Sequence, residues 1–219
     1  MKPFLVLSLC ALVFGAAGCK SMLGINKVQG SGTAKTEKRD VARFTAIEVS
    51  CHGNVNVTAQ SAASLSVTGD DNIVPLITTE VKDDTLYIKS DKEYDSKRPL
   101  HIDVAAPDVA RFVFSGAGDA ALSKIQNERL EITVTGAGKL TASGETKEAS
   151  VSLTGAGDLD AKDLHAAKTT VKSTGVGSVE VYATDELVAN ATGLGNVNYY
   201  GNPKHVTAKA TGLGEINRK

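Results

Sequence analysis

Thr135-Gly136-Ala137-Gly138 and Thr154-Gly155-Ala156-Gly157 are two copies of one unit: a hydroxyl residue, glycine, an apolar residue, glycine. Four more follow the same pattern: Ser115-Gly116-Ala117-Gly118, Thr174-Gly175-Val176-Gly177, Thr192-Gly193-Leu194-Gly195 and Thr211-Gly212-Leu213-Gly214. The first glycines are 20, 19, 20, 18 and 19 residues apart. A period this regular marks a chain that climbs by stacking equal coils. Counted from each first glycine, the residues four before it are Phe112, Ile132, Val151, Val171, Ala189 and Ala208. Those two before are Phe114, Val134, Leu153, Ser173, Ala191 and Ala210, and those four after are Ala120, Leu140, Leu159, Val179, Val197 and Ile216. The residues between are mostly charged or hydroxylated, so a period of two runs in phase through every copy, as parallel strands about 4.8 Å apart require.

The glycine unit therefore reads as a corner. Two glycines permit positive φ, and the apolar residue between them is expected to tuck inward. The middle residue grows from Ala117 to Leu213 as the wall four residues upstream shrinks from Phe112 to Ala208, which fits compensation inside one shared interior. The expected fold class is all-β: a parallel β-helix or β-solenoid of about 19–20 residues per coil. Its N-terminal part is more irregular. From Arg43 to Pro107 short alternating runs such as Val55/Val57, Leu65/Val67 and Leu100/Ile102/Val104 are closed by turns at Gly53-Asn54 and Gly69-Asp70-Asp71-Asn72. Asp91–Arg98 reads as an exposed charged loop, and no segment sustains a helical period.

The beginning of the chain reads as an address. Lys2, the apolar run Phe4–Phe14 and Ala16-Ala17-Gly18-Cys19 compose a secretory signal at residues 1–18, too short to span a bilayer as a permanent helix. Cys19 then becomes the lipid-anchored first residue of a lipoprotein, and Lys20 after it favours the outer membrane; Ala16 departs from the leucine usual at that place. Residues 19–40 are expected to be a flexible tether and 41–219 the domain. Loss of Lys2 moves the formal charge from −1 to −2, which leaves no basic footprint for nucleic acid. Cys10 leaves with the signal and Cys19 is acylated, so Cys51 is alone and stability has to come from packing.

Chemistry-bearing groups are sparse. Cys51 and His52 are neighbours on a strand, face opposite ways and read as packing and surface residues. Asp119, Lys139, Asp158, Ser178, Asn196 and Glu215 make an outward column whose mixed charge and long spacing suit a solvated edge rather than calcium. Gly-Ala-Gly followed by a strand rather than a helix argues against phosphate binding, and His52, His101, His165 and His205 lack metal-ligand spacing, so no cofactor or metal is expected. Asp158, Asp160, Lys162 and Asp163 could serve a polysaccharide-cleaving enzyme only if they converged, and alternation separates them. Tyr182 and Tyr200 share an offset of seven from their glycines and form a possible binding spot, or simply cover the coil surface. The last coil, at Glu215-Ile216-Asn217, shows no cap, so self-association through it is open.

The glycine ladder, together with Arg43-Phe44-Thr45-Ala46-Ile47-Glu48-Val49-Ser50 and Gly69-Asp70-Asp71-Asn72-Ile73-Val74-Pro75-Leu76-Ile77, resembles the head GIN domain family of auto-transporter adhesins across residues 41–217. The resemblance implies an exported, often lipid-anchored, β-helical domain and brings no catalytic residues. The function expected is a non-catalytic envelope module that binds glycans or proteins. A structural scaffold and a polysaccharide-active enzyme are the alternatives.

Overall fold

A computed structural model describes residues 27–219; the signal segment and Cys19 lie outside the described residues. The strands are β1 (Val28–Gln29), β2 (Ala34–Arg39), β3 (Ala46–Ser50), β4 (Asn54–Thr58), β5 (Ser64–Asp70), β6 (Ile77–Lys82), β7 (Thr85–Ser90), β8 (Tyr94–Asp95) and β9 (His101–Ala105). They continue as β10 (Arg111–Phe114), β11 (Ala120–Val134), β12 (Ala137–Leu153), β13 (Ala156–Ser173), β14 (Val179–Ala183), β15 (Glu186–Ala191), β16 (Val197–Gly201), β17 (His205–Ala210) and β18 (Ile216–Arg218). One 3-10 turn, Val74–Leu76, interrupts them.

From β10 onward every pairing is parallel and joins a residue to its counterpart one coil away: Phe112 to Ile132, Leu140 to Leu159, Val171 to Ala189. This is the solenoid that the period requires. The three inward columns are buried in all coils but the last, and one apolar interior runs from Phe44 to Val197. Ser173 is the polar member of the columns, and its buried hydroxyl has no hydrogen-bond partner among the described residues.

The corners correct one expectation. Ala137 and Ala156 open β12 and β13, their side chains are exposed, and Val176, Leu194 and Leu213 are 53, 62 and 87 % exposed. The apolar corner residue thus points outward, and no volume is exchanged between wall and corner. The reason is the alternation itself. Counted from the first glycine, inward positions are the even ones, and these fall on the two glycines rather than between them. Backbone bonds cross the corner without a break, as from Ala137 N to Gly116 O at 3.1 Å and from Val176 N to Gly155 O at 3.1 Å.

The glycines are needed chiefly for close approach. A Cβ on Gly136 would lie 1.9 Å from the carbonyl oxygen of Gly116 one coil below, and one on Gly155 equally close to that of Gly136. Positive φ is a second requirement at some of the later glycines, such as Gly138 at +132°. The outward column has work as well. Carbonyl or carboxylate oxygens of Asn54, Asp119, Asp158 and Asn196 accept the backbone N–H of the residue above them in the next coil, Asp119, Lys139, Ser178 and Glu215 respectively.

The irregular N-terminal region proves to contain the first coil. β3 pairs with β10 and β4 with β11, both parallel, and His52 bridges Ala117. Ser50-Cys51-His52-Gly53 therefore occupies the corner later filled by glycine units. A side chain is tolerated at Cys51 because Tyr94, not another glycine corner, packs there; the Tyr94 hydroxyl donates to the His52 carbonyl. Between β4 and β10 the chain makes an excursion in which β7 and β9 stack parallel on β3 and β4 as one further coil, and β6 and β5 pair antiparallel with β7 and β9 to close this end.

A second correction concerns the tether. Residues 27–40 belong to the domain: β1 pairs with β8, and β2 pairs antiparallel with β5. β2 lies on the surface with mostly exposed side chains, so its sequence has no apolar period to betray it. It is fastened by Gly69-Asp70-Asp71-Asn72. The fully buried Asp70 carboxylate accepts the N–H groups of Gly32 (2.7 Å), Lys97 (2.8 Å) and Arg98 (3.1 Å). Asp71 accepts the Ser31 hydroxyl at 2.5 Å, and Asn72 accepts the Ser31 N–H while donating to the Gln29 carbonyl.

Gly155→Val is expected to lose about 2–4 kcal/mol in urea denaturation, because backbone one coil away must move. Ala156→Ser, on the exposed position between the glycines, should stay within about 0.5 kcal/mol. Equal stability of the two variants would sink the close-approach account. Asp70 supplies a pH test. Burial pushes its carboxyl up, but the N–H donors of Arg98, Gly32 and Lys97 and the Arg98 charge outweigh this and hold it below its usual value. A depressed pKa adds stability above the unfolded value, about 3.9, that vanishes as pH falls through the folded one. Asp70→Asn should therefore show a lower urea midpoint than the native chain at pH 7, with the gap closing below about pH 4.

Candidate functional site

Gln126, Glu145 and His165 stand in one column, Gln126 paired with Glu145 on β11–β12 and Glu145 with His165 on β12–β13. Adjacent members are one coil apart, about 4.8 Å. Beside the top of this column the Tyr182 ring lies flat on the His165 ring, centroids 4.4 Å apart and planes inclined by 7°. Together they wall a groove of about 350 Å³ that also touches Asn127, Lys147 and Thr184.

Local bonds fix this wall and floor. The buried Thr169 hydroxyl donates to the Tyr182 carbonyl at 2.7 Å and holds the strand end that carries the ring. The far end of the ring lies against Gly201, where an added Cβ would come within 3.2 Å. On the floor, Thr146 donates to Asn127 Oδ1 at 2.8 Å, and Asn127 donates to the Val109 carbonyl at 2.8 Å. The side chains of Gln126, Glu145 and His165 make no hydrogen bond to another described residue. The groove thus pairs a rigid aromatic wall with an amide and a carboxylate that are free to bond a ligand.

Tyr200 is the register partner of Tyr182 on the next coil and is half-buried, so the expected pair does sit on adjacent coils. Yet Tyr182 stacks on His165, not on Tyr200. The coil between Gly175 and Gly193 is two residues shorter than the one before it, and the register with β13 changes between Val181 and Glu186 to absorb the difference. That slip brings His165 to Tyr182. The 18-residue spacing is the trace it leaves in the sequence.

Other groups are otherwise engaged. A hollow of about 530 Å³ over β11–β15 is spanned by the ion pairs Arg129–Glu148 and Lys168–Glu186. One of about 470 Å³ near β2 has Asn56 donating to Asp103. Lys162 is held by Asp160 at 2.5 Å and Glu180 at 3.4 Å, and its pKa is raised first by the bond to Asp160; Asp158 caps the next coil. These residues form no acid–base pair over a cleft. Cys51 is buried, and burial pushes its thiol up to about 12, so it is a packing group. Among the described residues no three His, Cys, Asp or Glu side chains converge as metal ligands, and no helix is long and apolar enough to cross a membrane.

The sequence of residues 43–203 matches the model of the family described as "Putative auto-transporter adhesin, head GIN domain". The chain belongs to this family. Among solved structures, a "putative adhesin" of Bacteroides fragilis is 26% identical, with 88% of this chain and 100% of that one aligned at a TM-score of 0.70. A second, from Parabacteroides merdae, is 20% identical, with 88% and 99% aligned at a TM-score of 0.55, and shares the fold. No protein of curated function matches the sequence. The family and the Bacteroides fragilis neighbour are both described as putative adhesins, which fits an exported or cell-surface protein.

Proposed function

We propose that the chain is a non-catalytic, adhesin-like module of the cell envelope, anchored through lipid on Cys19, that binds glycan chains in the groove beside His165 and Tyr182. The observation that carries this reading is the stacked His165–Tyr182 wall beside the unpaired Gln126 amide and Glu145 carboxylate. A sugar ring needs an apolar face to lie on and acceptors or donors for its hydroxyls, and the groove offers both within one ligand's reach. Tyr200, one coil further, extends the wall for a second residue of the chain. The flat, parallel-stranded faces provide a rigid backing that changes little on binding.

The test uses the chain with Cys19→Ala, so that it stays in solution, on immobilised envelope glycans, peptidoglycan and host matrix. Retention is expected, weakened about tenfold or more by His165→Ala and by Tyr182→Ala/Tyr200→Ala, since stacked aromatic contacts are worth about 1–3 kcal/mol. Retention that ignores these substitutions would move binding to another face. Absence of any retention would favour a scaffold without a dedicated ligand.

A further inference from the structure

The groove beside His165 holds one charge that nothing around it balances. Apart from His165, its charged lining residues are Glu145 and Lys147. The Lys147 ammonium lies 2.6 Å from the Glu128 carboxylate, so that cation is already matched. Glu145 is exposed and has neither an ion pair nor a side-chain hydrogen bond among the described residues, and the His165 ring does not bond it. Cations on the neighbouring coils are matched as well: Lys162 by Asp160, Arg129 by Glu148, Lys168 by Glu186 and Lys204 by Asp185. Lys124 and Asp163, two residues before Gln126 and His165, are opposite in sign and line no part of the groove. The groove is therefore anionic at Glu145.

Spacing adds a second observation. Gln126, Glu145 and His165 repeat along the solenoid axis at one coil, about 4.8 Å. An extended β-linked polysaccharide advances by nearly that step per sugar. An extended peptide does not, because its same-side residues recur at about 6.6 Å. Tyr182 covers one face of the His165 ring from the coil above, and Glu145 stands one coil below it. We propose, resting on the glycan reading above, that the groove selects a β-linked polysaccharide with free amino groups, laid along the axis with one ammonium on the Glu145 carboxylate. The ammonium then makes a charge-assisted bond, about twice as strong as the bond a neutral hydroxyl or acetamide makes between uncharged partners. An acidic sugar at the same place sets like charges together and is rejected. Gln126, one coil away, has both an N–H and a carbonyl for the hydroxyls of the next sugar.

Isothermal titration calorimetry of the Cys19→Ala chain tests the proposal, with chitosan oligosaccharides as the free-amine probe and chitin oligosaccharides as the same backbone fully acetylated. Near neutral pH a carboxylate contact favours the protonated amine. The free-amine probe is expected to bind about tenfold tighter than the acetylated one. Glu145→Gln, a near-isosteric change at an exposed position, should erase that difference and leave the acetylated affinity within about twofold. His165→Ala should weaken both probes alike. Equal affinity for the two probes, both weakened by His165→Ala, overturns the amine selectivity while the glycan reading stands. An amine preference that survives Glu145→Gln overturns it too, as does a lysine homopolymer that binds as tightly as chitosan with the same dependence on Glu145. Failure of both probes, with retention on other glycans still sensitive to His165→Ala, likewise removes the amine class and keeps the groove.

Discussion

Everything in this chain depends on how close one corner can come to the corner beneath it. At Gly136 a single added carbon would sit 1.9 Å from a carbonyl oxygen of the neighbouring coil. That approach keeps the parallel ladder continuous through the bend, and a continuous ladder keeps every inward column aligned from coil to coil. Close packing then follows without large side chains; alanine and valine suffice in the later coils, where Ala189 and Ala191 are buried to within 2 %. Asp119, Asp158 and Asn196 reinforce the same corners by capping N–H groups in the coil above.

The two ends of the stack are finished differently. At one, β7 and β9 stack parallel on β3 and β4, β6 and β5 close over them antiparallel, and residues 27–40 are sewn on by the buried Asp70 carboxylate with Asp71 and Asn72. At the other stand β17 and β18 of the last coil. Between them the faces carry ion pairs from coil to coil, such as Arg111–Glu48 and Lys204–Asp185, each partly exposed and worth little alone. Side chains remain uncommitted in the column that ends in His165, beside Tyr182.

The repeat and its buried columns are legible in the sequence because period and alternation are properties of residue order. The outward corner residue was legible too: the same even count that places Phe112 and Ala120 inside places Ala117 outside. Treating the glycines as a break in the alternation hides this. The first corner cannot be read from spacing, since Ser50-Cys51-His52-Gly53 has only one glycine and stands 65 residues before its counterpart, across the β5–β9 excursion. β2 is invisible because a surface strand held by backbone and by Asp70 needs no apolar pattern. The Tyr182–Tyr200 adjacency follows from the repeat, whereas His165 enters the groove only through a register slip, which depends on three-dimensional pairing.

The placement of the Asp70 clasp has a mechanical consequence. Ser31 and Gly32 stand immediately ahead of β2, so tension entering the domain from its N-terminal side reaches their bonds to Asp70, Asp71 and Asn72 before it reaches the β2–β5 ladder. These contacts, of which those to Asp70 and Asp71 are charge-assisted, must yield before the strand can be peeled away one pair at a time. A pull from that side thus meets the β1–β8 pair and then this clasp before it can open β2, and acid that protonates Asp70 would soften the clasp.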